Sequence, residues 1–370
     1  MTVEYTKTMV NTCCCIYVKL LFRWRGSMYK LLWRDLLAYT ALYSTLSCVY
    51  RFYLQEPYKR MFEELVMYSS KYKSLVPVSF MLGMYVMLVM IRWWSICLAL
   101  PDNTNIAMLL ATHIPGTDSR AFEIRSRIVR YISLTCAMVF AQISGTVHSK
   151  YPDSQHLVQE YLATELEGQV LTEAAKQGCA GSKWLPLTWC CQLVQCAREE
   201  GFLQTDSGKV LLVTELLRLR RQCSRLQQWH EHNVPLLYTQ VVTIAAYTYF
   251  VISLLSEQYL DESLKYPSYE VDLVVPAFAL LELVFYMGWL KVAEILLNPF
   301  GTNDHSFDLL RILEDTRYSA FVICHTRYGQ YSAEAQWKSR EGRLHIIDLG
   351  VLPGMLGEVL TPDTVLGAST

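Results

Sequence analysis

Of 370 residues, 52% are hydrophobic and 18% charged, with a net charge of −1, a pI near 6.7 and a mean hydropathy of +0.18. The chain is too apolar for an ordinary soluble domain and too charged to lie wholly within a bilayer, so a membrane part and a sizeable cytosolic part are expected. Near-neutral charge, with no basic run interleaved with aromatics, excludes nucleic acid as a partner.

The N-terminal arm, residues 1–30, is polar from Met1 to Asn11, and its apolar run Cys13 to Tyr17 leads into Lys19, Arg23 and Arg25. That is not the pattern of a cleavable signal, so the first span is expected to act as the signal itself. Twelve cysteines are scattered without CxxC spacing or histidine partners, which indicates neither a disulfide framework nor a zinc site. Cys13-Cys14-Cys15 reads either as small packing residues or as a palmitoylation site beside a membrane.

Four stretches have the length and polarity of membrane helices and fall into two pairs, within 31–94 and 234–290. The first, Leu31 to Leu54, carries Arg34, Asp35 and Arg51 near its ends. The second, Leu75 to Trp94, opens with seventeen residues without a formal charge and contains Pro77 and Gly83. At a spacing of four, Val76, Phe80 and Met84 form one apolar stripe, and Ser79 and Gly83 a neighbouring small one, suited to close helix approach. The stripe fits a packing helix or a pore wall.

The third span, Val234 to Leu255, has no charge; the fourth, Leu273 to Leu290, holds one acid, Glu282. An acid there is expected to face protein or water, since ionising it in hydrocarbon costs ~2 kcal/mol or more. The basic N-terminal arm, set against Lys265 as the single base of the loop from Ser256 to Asp272, predicts that loop outside and both termini in the cytosol.

The middle, 95–233, is too long for a connector and reads as a cytosolic helical domain. Within it Tyr131 to Ser144 is short enough to be a buried core helix, and Val210 to Gln228 combines leucines at helical spacing with Arg218, Arg220, Arg221 and Arg225. That basic run is either a solvated, salt-bridged face or the lining of an anion path. Residues 291–330 form a further cytosolic segment, whose Asn298-Pro299-Phe300-Gly301 ends a helix and opens a polar loop; 331–370 is expected to be a disordered tail. No GxSxG, HExxH, P-loop or dinucleotide fingerprint occurs in a usable context, so no enzyme is predicted. His230-Glu231-His232 spaces its histidines wrongly for one helical face and reads as a polar patch.

The motifs Trp24-Arg25-Gly26-Ser27, Pro77-Val78-Ser79-Phe80, Arg92-Trp93-Trp94, Gln155-His156-Leu157-Val158-Gln159, Tyr238-Thr239-Gln240-Val241-Val242, Asp272-Leu273-Val274-Val275-Pro276, Gly288-Trp289-Leu290-Lys291 and Asn298-Pro299-Phe300-Gly301 occur in that order. In this respect the chain resembles the bestrophins, a family of pentameric, calcium-activated chloride channels. The resemblance implies an all-α membrane protein with four transmembrane helices and a helical cytosolic domain per subunit. Five such subunits, in a homo- or hetero-pentamer in the plasma-membrane bilayer, would surround one axial pore for chloride and other small anions.

By the same resemblance Val76, Phe80 and Met84 line a hydrophobic neck, in which family members commonly carry larger or aromatic groups at the first and third positions. A second, cytosolic constriction falls at Ser207. A calcium clasp would draw backbone carbonyls from Val10 and Asn298 and side chains from Ile295, Asn303 and Ser306, with Asp304 nearby. An amide and two carboxylates of the family are thereby replaced by neutral groups, and since affinity for the ion follows ligand charge, calcium activation is expected to be weak or absent. The alternative is a non-conducting or regulatory subunit that assembles with relatives; a transporter or membrane enzyme would need more buried ionisable groups than Glu282.

Overall fold

The computed structural model describes residues 22–24, 26–73, 75–116, 118–179, 181–260, 266, 275–301, 303 and 305–325. Every regular element among them is helical. The tail 331–370, Val10, Asp304 and most of the loop after Ser256 lie outside the described residues. The chain divides into two compact units, Met1–Ser95 with His232–Phe307, and Ile96–Glu231 with Asp308–Thr370.

In the first unit, α1 spans Tyr29–Cys48 and runs into a single π-helical turn, Val49–Tyr53. Helices α2 (Tyr58–Lys73) and α3 (Val78–Ala99) follow. Between the first two predicted spans the chain thus forms a helix of its own, α2. Helix α3 starts after Pro77, because proline lacks the N–H a helix interior needs and pushes the residue before it out of helical geometry. Val76 therefore lies outside the helix on which the stripe of four was counted.

The later pair of helices in this unit is α11 (Leu236–Ser256) and α12 (Ala277–Leu297), opened by Pro235 and Pro276. Helix α2 packs on α11, and α1 on α12. Gly288 permits that second approach, for a Cβ there would stand 3.3 Å from Met28 Sδ. The core gathers Leu32 and Tyr39 of α1, Val78, Leu82, Tyr85 and Val89 of α3, Val242, Ala246 and Phe250 of α11, and Leu283, Met287 and Leu290 of α12.

Two described stretches, Val78–His113 and Leu236–Ser256, are long and apolar enough to cross a membrane by length and composition. The other two predicted spans, α1 and α12, carry Lys30, Arg34 and Asp35, and Glu282, Lys291 and Glu294 respectively. Gly83 meets no atom within 4 Å of where a Cβ would stand, so among the described residues nothing covers the small stripe of α3 there.

The second unit is built on α5 (Ser119–Ile143), which is buried along most of its length, as expected for the apolar run from Tyr131. Around it lie α4 (Thr104–His113), α6 (Gly145–Lys150), α9 (Leu185–Glu199), α10 (Asp206–Glu231) and α13 (Leu309–His325). The short α7 (Ser154–Gln159) packs on α8 (Glu165–Lys176). Helix α10 starts where Thr205 Oγ1 accepts the Gly208 N–H at 3.2 Å. A Cβ at Gly208 would fall 2.8 Å from His113 Nδ1, so that contact with α4 requires glycine.

Arg130 and Glu167 form the polar centre of this unit. The guanidinium donates from Nη1 to Glu167 Oε2 at 2.6 Å and from Nη2 to Oε1 at 2.9 Å, and Tyr131 adds its hydroxyl to Oε1 at 2.6 Å. Glu167 also closes a capping box with Thr164 at the start of α8. Burial alone would raise the Glu167 pKa; the hydrogen bonds and charge of Arg130 outweigh it, leaving the group at about 2.

Candidate pore helix and its ties

The face of α3 that carries Val78, Leu82, Tyr85 and Val89 is buried in the first unit. Phe80 and Met84 stand on the other side, 68% and 54% exposed, and Met87 and Ile91 continue that exposed stripe. Val76 differs: it is half-buried and packs against the core. The structure thus brings two of the three predicted neck residues onto one free apolar face and sets the third at the corner that precedes it.

Both ends of the first-unit part of α3 are tied by cations. Near its start, Lys73 at the end of α2 donates to Glu257 Oε1 and to Glu282 Oε2, each at 2.7 Å. Tyr249 donates to the same Glu282 oxygen at 3.0 Å. The lone acid of the fourth predicted span therefore faces protein, as its desolvation cost requires. Burial disfavours the Lys73 ammonium, but its two carboxylate partners outweigh that and raise its pKa.

Toward the other end, Arg92 is 5% exposed. It donates to the Leu297 carbonyl at 2.7 Å and to Asn233 Oδ1 at 2.6 Å. Trp93 stacks on Phe307 with centroids 5.3 Å apart. The guanidinium thereby satisfies a carbonyl that the end of α12 would otherwise leave without a helical donor.

The predicted calcium residues fall on and just before the turn after α12. Ile295 lies in the last turn of that helix. Gly301 N–H reaches the Asn298 carbonyl at 3.4 Å, Ser306 N–H the Asn303 carbonyl at 3.1 Å, and Phe307 N–H the Pro299 carbonyl at 2.8 Å. Asn298, Asn303 and Ser306 therefore share one compact turn. The four described residues of the clasp, Ile295, Asn298, Asn303 and Ser306, supply no carboxylate, and Asp304 lies outside the described residues.

Ser207 lies exposed in the first turn of α10. Of the basic run on that helix, Arg218 pairs with Glu215 at 3.6 Å and Arg220 sits 5.3 Å from the Trp184 ring centroid. These are contacts of a solvated face. His230 lines an open cleft of about 1090 Å³ in the second unit, together with His148, Asp153 and Lys176.

Sequence reasoning missed Lys73. A signal was present: one acid in a long apolar helix calls for a cation, and lysines stood at the end of the neighbouring polar segment. Which of Lys71 and Lys73 supplies it depends on how α2 lies against α11, which periodicity does not encode.

All-helical architecture, apolar faces turned away from the protein's own core and ionic ties at the helix ends define a helical membrane protein. Residues 1–325 match the family model described as bestrophin, RFP-TM, chloride channel. The chain is 41% identical to mouse Bestrophin-2 over 348 residues, covering 93% of this chain and 68% of that one. It is 37% identical to human Bestrophin-1 over 308 residues, covering 83% of this chain and 52% of that relative. Among solved structures, a bacterial bestrophin homologue from Klebsiella pneumoniae superposes with a TM-score of 0.60 at 14% identity, over 79% of this chain and all of the other. The chain belongs to the bestrophin family of chloride channels.

Proposed function

We propose that the chain is a subunit of a pentameric anion channel of the plasma membrane, with four membrane helices and both termini in the cytosol. Chloride and other small anions pass down their gradient through a neck lined by Val76, Phe80 and Met84. The observation that carries this reading is the exposed stripe of α3. Phe80 and Met84 have no core of their own chain to enter, and a ring of such side chains excludes ions because an ion there sheds water without gaining ligands. The helix start after Pro77 favours anions at the mouth of the neck through its dipole. Met84, unbranched and flexible, keeps the ring apolar while leaving its width adjustable.

Purified protein in liposomes is expected to pass chloride and to exclude potassium, and Phe80→Ala to make the closed pore leak. Unchanged conductance and gating in Phe80→Ala would remove that side chain from the axis.

The turn after α12 supports a second statement: calcium activation is weak or absent. Chloride flux is expected to stay level as cytosolic-side calcium rises through the micromolar range; a steep rise in this chain expressed alone would overturn the statement. The same loss of charged groups at Asn303 and Ser306 favours one alternative role, a regulatory subunit joined to other bestrophins, for which the mark is a silent homomer that co-purifies with a conducting relative.

A further inference from the structure

The ion cluster at Lys73 lies directly behind the mouth of the proposed neck. Lys73 is the last residue of α2, and its carbonyl accepts the Val76 N–H at 3.5 Å. The Val76 carbonyl in turn accepts the Val78 N–H at 2.8 Å, where α3 begins. Only two residues separate Lys73 from Val76 and three from Pro77, with no glycine among them to absorb a displacement. A shift of the Lys73 side chain is passed to Val76 through a short, hydrogen-bonded corner.

The partners of Lys73 come from two other helices. Glu282 belongs to α12 and Glu257 caps the C-terminus of α11. Glu257 is itself held in place, for its carbonyl accepts the Tyr43 hydroxyl of α1 at 2.9 Å. Glu282 accepts from Tyr249, whose ring lies 5.2 Å below the ammonium. The corner is thus anchored to both α11 and α12 through one side chain. Beside the anchor is a cavity of about 330 Å³, lined by Lys73, Val76, Pro77, Ser79, Tyr249 and Tyr286 among others. Val76 packs on the core from one side, but this space leaves it and Pro77 unsupported on the other, where the ionic tie adds restraint.

We propose that Lys73 is a positioning residue that sets the aperture of the neck at Val76, by tying the corner between α2 and α3 to Glu257 and Glu282. The tie acts through Val76 and rests on the neck reading above. Its loss widens or loosens the mouth, so that anions larger than chloride pass more readily.

Relative permeabilities of chloride, thiocyanate and gluconate, taken from reversal potentials of the full chain in planar bilayers, test this, because such ratios do not depend on how many channels fold. Lys73→Met is expected to raise the gluconate-to-chloride ratio severalfold, while Lys73→Arg keeps the wild-type ratio. The double variant Lys73→Met with Glu282→Gln restores the wild-type charge of the cluster without restoring the tie, and is expected to stay as permissive as Lys73→Met. A wild-type ratio in that double variant overturns the positioning role and leaves only charge neutralisation. Wild-type ratios in all Lys73 variants, with Phe80→Ala altered, overturn the inference and leave the neck in place. If Phe80→Ala also keeps the wild-type ratio, the neck reading itself falls, and the inference with it.

Discussion

Two ion clusters of this protein, one in each unit, differ in what they close. Arg130 and Glu167 make a bidentate, charge-balanced pair with side chains 8% and 15% exposed. Every group around Glu167 completes a local structure: the start of α8, the hydroxyl of Tyr131 and the Leu162 carbonyl, which accepts from Arg130 at 3.1 Å. Lys73 instead serves two carboxylates, 34% and 38% exposed, on two helices far apart in sequence, and the cluster carries one uncompensated negative charge. A neutral, satisfied pair holds a fold together; a partly hydrated cluster with excess charge ties movable parts and tolerates change.

That contrast breaks most readily in the second unit. Arg130→Met leaves Glu167 buried beside groups that can no longer neutralise it, and is expected to cost about 3–5 kcal/mol of that unit's stability. In the first unit Lys73→Met is expected to cost only ~1 kcal/mol, because water reaches both carboxylates. Thermal unfolding of the two detergent-solubilised variants measures the difference, and equal losses would abolish the distinction drawn between the clusters.

Acid sharpens it further. The folded-state pKa of Glu167, about 2, lies below the value of 4.5 for a free carboxyl, so the unfolded chain binds the proton first as pH falls. The stabilisation from this group is complete above the unfolded pKa and is lost progressively as pH drops from about 5 toward 2. Circular dichroism of wild type and Glu167→Gln over that window is expected to show a steeper acid loss in the wild type. Parallel curves would show that Glu167 is not the group titrating.

Much of the helical layout was legible. Long apolar runs located α3, α11 and α12, because in such segments apolar burial and the helix-breaking proline before each point the same way, but α3 runs on to Ala99 and α12 to Leu297, past the expected ends at Trp94 and Leu290. Tyr131 to Ser144 read as a core helix from its length, but the polar half of α5 before it, with Arg125 and Arg130, did not. Those arginines are buried only because α8 with the segment before it and the turn after α4 bring a carboxylate and carbonyls to them, as at Ile114, whose carbonyl lies 2.6 Å from Arg125 Nη1. The stripe of Val76, Phe80 and Met84 was half legible: its helical count presumed a helix that Pro77 delays.

Sequence by itself determined the family, the apolar helices and the neutral side chains at Asn303 and Ser306, since these depend on residue types and their order along one chain. Tertiary structure alone decided which face of α3 is left free and which cations hold its ends. Periodicity defines faces without saying which neighbour covers each, and a salt bridge such as Lys73 with Glu282, 209 residues apart, exists only once separate helices have packed.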